Sequence, residues 1–408
     1  MFTFCARIKL CQNDCQNHRI TPLQNTDKHH SIQGKNLRYG WTTGACATAA
    51  TKAACHVLLT EKTLSFVDIV LPKGQIARFD ILHVEKGMKS RWAACTVKKD
   101  AGDDPDVTHE ALITSKVWRQ SHNDRHSRVH RKIGGILLAG QGVGIVTKLG
   151  LAISPGEPAI NPVPRAMLFN VIRGLLSNHA IPACIIAEIS IANGEKLAQK
   201  TWNQRLGIYG GLSILGTTGI VRPFSCSAWI ASIHRGIDIA RATGVNHVCG
   251  STGNTSEALA RNLYQFPDAA LLDMGDFVGG MLRYLCKHPI PRLTICGGFG
   301  KTIKLSQGCM DLHSGRSQID FSKLAEVARE LQYPPETQQA ILTSQTAMAV
   351  LTQLEILDVN LEKSPLIRTI AEHAHRTVKN ALKNNNIAVE IIISDRKGRI
   401  LNRTNFET

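Results

Sequence analysis

The chain has 408 residues, 43% hydrophobic and only 5% aromatic, and its 48 Lys and Arg against 32 Asp and Glu leave a formal net charge of +16. That length suits two domains or one large one, with enough apolar material for a sizeable core. No uninterrupted apolar run reaches the roughly 18 residues of a membrane span, and the twelve cysteines include no Cys-x-x-Cys pair, so they read as reduced thiols rather than a disulfide framework.

The opening MFTFCARIKLCQNDC lacks a continuous apolar stretch and a small-residue cleavage site. It does not read as a secretory signal, and a cytoplasmic protein is expected. Residues 1–34 are polar and aperiodic, which predicts a disordered extension, with Lys28-His29-His30 part of a solvated tail. The texture changes at Leu37. Thr42-Thr43-Gly44 leads into an Ala-rich helix over Ala45–Leu59, and strands are expected at Leu64–Leu71, Ile76–Val84 and Arg91–Val97. The basic, His-rich stretch 121–132 reads as a surface loop between strands. Glycines cluster at Gly140, Gly142 and Gly144. A Pro-punctuated loop from Pro155 to Pro164 feeds a helix that reaches Ser177, and a strand follows at Ile185–Ile191.

Ser227–Thr243 reads as a helix closed by Gly244, and a domain boundary is placed there. Beyond it the pattern alternates. A strand ends at Val248-Cys249, a helix covers Ser256–Tyr264, a strand Ala269–Asp273, a helix Phe277–Cys286 and a strand Leu293–Cys296. Two or three helices fill 321–383 before a last strand at Val389–Ile393. Such alternation predicts an α/β three-layer arrangement on a mostly parallel sheet.

Three loops of this second half look ligand-binding. Val248-Cys-Gly-Ser-Thr-Gly-Asn254 is a strand, a glycine turn and a helix start, where backbone N–H groups are free to meet a ligand. Gly250, Thr252, Gly253 and Asn254 are the candidates. Asp273, at the end of the next strand, suits ribose hydroxyls, with Asp276 its rival. Gly297 and Gly298 open the third loop. Three such loops after successive strands point to a nucleotide-like ligand.

The first half holds Val97-Lys-Lys-Asp-Ala-Gly-Asp-Asp-Pro-Asp106, in which Asp100, Asp103 and Asp104 are candidate catalytic carboxylates, since crowded acids raise one another's pKa. Lys98 and Lys99 stand beside them as candidate substrate cations. Glu157, Asn161 and Arg165 lie in a loop stiffened by prolines, and Arg suits bidentate carboxylate contacts. Thr217 and Thr218, between glycines, echo Thr42 and Thr43 as donors to anions. Cys46 reads as a packing residue. The oxygen-rich Asp100–Asp106 stretch could also hold a divalent cation, a reading left open, and no metal-ligating residue is assigned. The positive charge asks for an acidic partner. With few aromatics and no recognition motif, a polyanionic small molecule fits better than nucleic acid.

Seven stretches in order resemble the CbiD family of corrinoid C-methyltransferases. They are LRYGWTTGACATAATKAA (37–54), VKKDAGDDPDVTHEALI (97–113), GQGVGIVTKLGL (140–151), GEPAINPVPRAM (156–167), GTTGIVRPFS (216–225), MGDFVGGML (274–282) and HSGRSQIDF (313–321). Glu110 departs from the small residue expected there. The resemblance implies methyl transfer from S-adenosylmethionine (SAM) to C1 of cobalt-precorrin-5B, giving cobalt-precorrin-6A on the anaerobic route to cobalamin. Cobalt is then carried by the substrate. It also implies an unusual N-terminal α+β domain over 35–243 for the tetrapyrrole and a Rossmann-like SAM domain over 244–408. No membrane and no nucleic acid are implied, and a homo-oligomer is left open. The rival readings are a NAD-dependent oxidoreductase, which the glycine turn and Asp273 would serve equally, and a basic nucleic-acid-binding methyltransferase.

Overall fold

The computed structural model describes residues 31–32, 35–87, 91–120, 135–181, 183–357, 360–383 and 385–407. Most of the polar extension and the whole 121–132 stretch lie outside these residues. Ser31–Ile32 pairs antiparallel with Lys35–Asn36.

The first half is built around the helix Thr43–Thr60. Its alanines and cysteines are buried on nearly every side, because the helix is sandwiched between a sheet and the helix Pro162–Asn178. Small side chains permit that close approach. Threonines inside the layer are satisfied locally: Thr51 Oγ1 donates to the Ala47 carbonyl and lies 2.8 Å from Ser115 Oγ. Thr42 caps the helix by accepting from the Ala45 N–H, a contact worth about 1 kcal/mol. The sheet has five strands in the order His83–Lys86, Trp92–Lys98, Leu112–Arg119, Ile185–Ile191, Gly135–Ala139. All its pairs are antiparallel except the last.

One expected strand, Ile76–Val84, is two. Ile76–Asp80 forms a hairpin with Phe66–Val70, and His83–Lys86 joins the main sheet. The Leu82 N–H, between them, donates to the Thr96 carbonyl, so the chain changes partners at residues 81–82.

The second half carries another five-stranded sheet. Its spatial order is Leu271–Asp273, His247–Ser251, Arg292–Gly298, Ala388–Ser394, Ile400–Arg403. The first four strands run parallel. Ile400–Arg403 is an antiparallel edge that the sequence reading did not include. Helices 254–264, 278–285, 299–306 and 365–381 pack against the sheet, and helices 321–330, 335–342 and 347–357 cluster outside them. The helix Cys226–Ala242 belongs to this unit. Its Ile233, Ile237 and Ala240 sit in the same core as Val248, Leu272 and Met281, ahead of the boundary expected at Gly244. Among the described residues, no helix is long and apolar enough to cross a membrane.

Candidate functional site

In the second sheet the strand first in sequence, 247–251, has the next strand on one side and the third on the other. The connection leaving 247–251 runs to one side and the connection leaving 292–298 runs to the other, so a crevice opens outside the carboxyl ends of these two strands. The predicted loops meet there. Thr252 Oγ1 accepts from the Gly298 N–H at 3.3 Å. Lys301 donates to the Thr252 carbonyl at 2.9 Å and stands 3.0 Å from Asp276 Oδ1. That oxygen is buried and makes no hydrogen bond of acceptable geometry. Ser256 Oγ accepts from the Thr252 and Gly253 N–H groups, which fixes the turn and leaves the first helical N–H groups, beginning at exposed Asn254, for a ligand.

The glycines divide by what a side chain would meet. A Cβ on Gly253 or Gly298 meets nothing within 4 Å, so both face open space. A Cβ on Gly250 would strike the Met281 thioether at 2.7 Å, and one on Gly297 would crowd Thr252 at 3.0 Å. These two serve packing. Asp273 ends the edge strand beside the crevice, half-buried. Burial raises its pKa, helped by Glu257 and opposed by Arg205 and Lys301. An acceptor acid beside an open glycine turn and a free helix start fits an adenosyl ligand.

The first-half motifs also converge. Thr42-Thr43-Gly44 and Gly216–Gly219 pack against each other: the Thr42 N–H donates to the Gly219 carbonyl and the Gly44 N–H to the Leu215 carbonyl, each at 3.0 Å. Thr217 is exposed beside them, and Thr218 Oγ1 bonds its own turn at Ile220. Arg38 gathers the acidic loop. Its guanidinium pairs with Asp100 and its N–H donates to Asp103 at 2.7 Å. The Arg38 hydrogen bond lowers the Asp100 pKa. Asp104 differs. It accepts from the Phe224 N–H at 2.8 Å, and burial raises its pKa.

The candidate cations are already engaged. Lys99 is 2% exposed and pairs with Asp106 and Thr108. Lys98 points to solvent and pairs with Glu110 at 2.6 Å. Arg165 pairs with Glu157 at 2.7 Å and donates to the Ile160 and Pro158 carbonyls, so it staples its own loop. Asn161 precedes the 162–178 helix without a side-chain cap bond. Glu110 has φ 61°, in the left-handed region, which explains why a small residue was expected there. The Cys46 thiol is pushed up to about 12 by burial, as suits a packing residue. Among the described residues, no group of three or more His, Cys, Asp or Glu side chains could hold a metal ion.

The start of the 226–242 helix joins the two motif clusters. Phe224, held by Asp104, immediately precedes it. Trp229 in its first turns donates from Nε1 to the Asp273 carbonyl at 3.0 Å. Arg316, from the HSGRS motif, reaches Cys226 Sγ at 2.8 Å. Four residues of helix rise only about 6 Å, so Asp104 and Asp273 flank one seam. Arg205 crosses it with a bidentate pair to Glu257 at 2.7 and 2.8 Å. The sequence reading missed Trp229, Arg205 and Glu257, because nothing in their spacing marks them.

The CbiD family model matches residues 30–223 and the model of the CbiD C-terminal domain matches 311–405. A protein of Brucella canis named cobalt-precorrin-5B C(1)-methyltransferase is 49% identical over 380 residues, covering 93% of this chain and 99% of its own length. The protein of the same name from Brucella suis biovar 1 matches to the same extent. Among solved structures, the cobalamin biosynthesis protein (cbiD) of Archaeoglobus fulgidus is 24% identical with a TM-score of 0.35, covering 65% of this chain and 78% of that one. Two family models over most of the length and near-full-length identity of this order place the chain in the CbiD family.

Proposed function

We propose that this chain transfers a methyl group from SAM to C1 of cobalt-precorrin-5B, giving cobalt-precorrin-6A in cobalamin biosynthesis. The observation that carries the reading is the identity shared along nearly the whole length with the Brucella methyltransferases. The second half is then a Rossmann-like SAM domain, and the first-half motifs hold the tetrapyrrole. SAM supplies an electrophilic methyl group. The protein's part is alignment and exclusion of water.

In this reading Asp273 accepts from the ribose hydroxyls, and Gly253 and Gly298 admit the ligand close to the backbone. The first N–H groups of the 254–264 helix take the carboxylate. Asp100 and Asp103 hold Arg38 and shape the loop. Asp104, with its raised pKa, accepts a proton that the methylated macrocycle sheds. Thr42, Thr43, Thr217 and Thr218 shape the surface that meets the acetate and propionate arms.

Incubating purified protein with cobalt-precorrin-5B and methyl-labelled SAM, followed by mass spectrometry, tests this. The product should carry one labelled methyl group, located at C1. Binding of SAM without any mass gain in the tetrapyrrole refutes it.

A further inference from the structure

We infer that Phe224 and Trp229 form the apolar surface on which the flat tetrapyrrole macrocycle lies. This rests on the transferase reading above and adds two aromatic side chains to it. Phe224 carries the argument. Its φ is 54°, in the left-handed region, which a bulky side chain adopts only at a cost in energy. A turn that needed only the backbone would be better served by glycine. The fold gains little from the ring, since the residue is 54% exposed. Asp104, 120 residues away in the chain, holds the conformation: its Oδ1 accepts the Phe224 N–H at 2.8 Å. A strained backbone that keeps an aromatic ring in solvent beside a half-buried acid serves a ligand better than it serves packing.

Trp229 supplies the second ring. Phe224 immediately precedes the helix cap Ser225, and Trp229 is the fourth residue of that helix. Apolar residues at these two positions commonly pack on each other. Here the two rings make no contact with each other among the described residues. Trp229 is fixed from behind instead. It meets Trp202 edge-on at 5.9 Å and Phe277 at 6.2 Å, and its Nε1 donates to the Asp273 carbonyl. It still remains 43% exposed. One ring is thus tied to Asp104 and the other to Asp273, so a molecule resting on both meets the two sides of the seam. Shape and charge select the occupant. A tetrapyrrole has broad apolar faces and a rim of carboxylates. The rings match the faces, and Arg222, exposed two residues before Phe224, matches the rim.

Phe224→Gly tests this, because it removes the ring, keeps the N–H that Asp104 holds and relieves the strain. Its melting temperature should stay close to or above the parent's. Cobalt-precorrin-5B binding should weaken by roughly tenfold or more in calorimetry, with S-adenosylhomocysteine affinity unchanged and KM for the tetrapyrrole rising by a larger factor than kcat falls. Phe66→Ala, at an exposed ring of the 66–80 hairpin, should bind the tetrapyrrole as the parent does. Unchanged tetrapyrrole affinity in folded Phe224→Gly overturns the inference. An equal loss in Phe66→Ala also overturns it, since exposed rings would then bind nonspecifically. A changed oligomeric state in gel filtration with tetrapyrrole affinity retained assigns the rings to a second copy of the chain and overturns it as well. If Phe224→Gly does not fold, Phe224→Asn, which also tolerates the left-handed region, decides by the same readouts. Failure of the unaltered chain to bind cobalt-precorrin-5B would instead sink the transferase reading itself.

Discussion

Replacing Arg205 with Ala should weaken SAM binding through an ion pair that touches the glycine turn's helix from the other half of the chain. The pair is bidentate, and its side chains are 31% and 13% exposed. Exposed pairs contribute about 0–1 kcal/mol, and breaking a fully buried one costs about 3–5 kcal/mol. This pair lies between, so breaking it costs about 2 kcal/mol, which caps the loss of SAM affinity at close to thirtyfold, reached when the whole cost falls on the ligand-bound arrangement. Glu257 keeps a weaker partner in Arg261 at 3.7 Å, which holds the cost below the buried limit. The assay is titration with S-adenosylhomocysteine for Arg205→Ala, Glu257→Ala and the double variant. A coupling of about 1 kcal/mol is expected from the cycle. Strict additivity would show that the pair does not act on the cofactor site. An equal loss of corrinoid binding would show general damage.

Three further outcomes follow from the geometry. Gly253→Val should fold normally, since φ 164° is extended backbone and a Cβ meets nothing, yet SAM binding should vanish; retained affinity removes this turn from the site. Asp104→Asn should lower kcat with SAM affinity unchanged. Because burial raises the Asp104 pKa, the fold favours its protonated form, so the ionised acid carries a stability penalty above that pKa which is relieved as pH falls through it. The Asn variant should therefore be at least as stable as the parent at neutral pH, and the parent's acid limb of activity should lie above the ordinary Asp range near 3.9; a less stable variant contradicts this. Arg165→Ala should cost about 1–3 kcal/mol of stability in denaturant melts, because it removes the pair to Glu157 and the hydrogen bonds to the Ile160 and Pro158 carbonyls; a variant as stable as the parent would show that the staple is dispensable.

Much of the architecture was legible because it rests on local pattern. The strand Ile185–Ile191 alternates, and the helix start at Thr42 carries its own cap. The split at residues 81–82 was not, since the apolar run Ile81-Leu82 looks like continued strand and only the Thr96 contact breaks it. Lys98 and Lys99 looked equivalent. Neighbouring strand side chains point to opposite faces, so one meets Glu110 in solvent and the other is buried on Asp106. The loops at the carboxyl ends of parallel strands were legible as a crevice, because glycines mark close backbone approach. The seam was not. Trp229 reaches Asp273 only when the 226–242 helix docks on the second sheet, Arg205 reaches Glu257 only when the two halves meet, and an apolar helical stripe does not say which core it will join.

With Lys99 and Arg165 committed to internal partners, a tetrapyrrole's carboxylates would need another cation, and Arg222 is the candidate. It is exposed and makes no hydrogen bond or ion pair among the described residues. It lies in the GTTGIVRPFS motif, two residues before Phe224, whose N–H is held by Asp104. Pro223 between them stiffens the segment. Its guanidinium therefore rises from a fixed backbone beside the acid proposed to handle the proton. Arg222→Ala should weaken corrinoid binding by about 1.5–3 kcal/mol, roughly tenfold to a hundredfold, as expected for one charge-assisted contact. The loss should shrink as salt rises, because an exposed cation is screened. SAM affinity should stay constant, since the crevice proposed for SAM does not include Arg222. Calorimetry with each ligand separately, at low and high salt, distinguishes these effects. Unchanged corrinoid affinity would place the substrate's carboxylates elsewhere. A parallel loss of both ligands would mean that Arg222 supports the seam rather than the substrate.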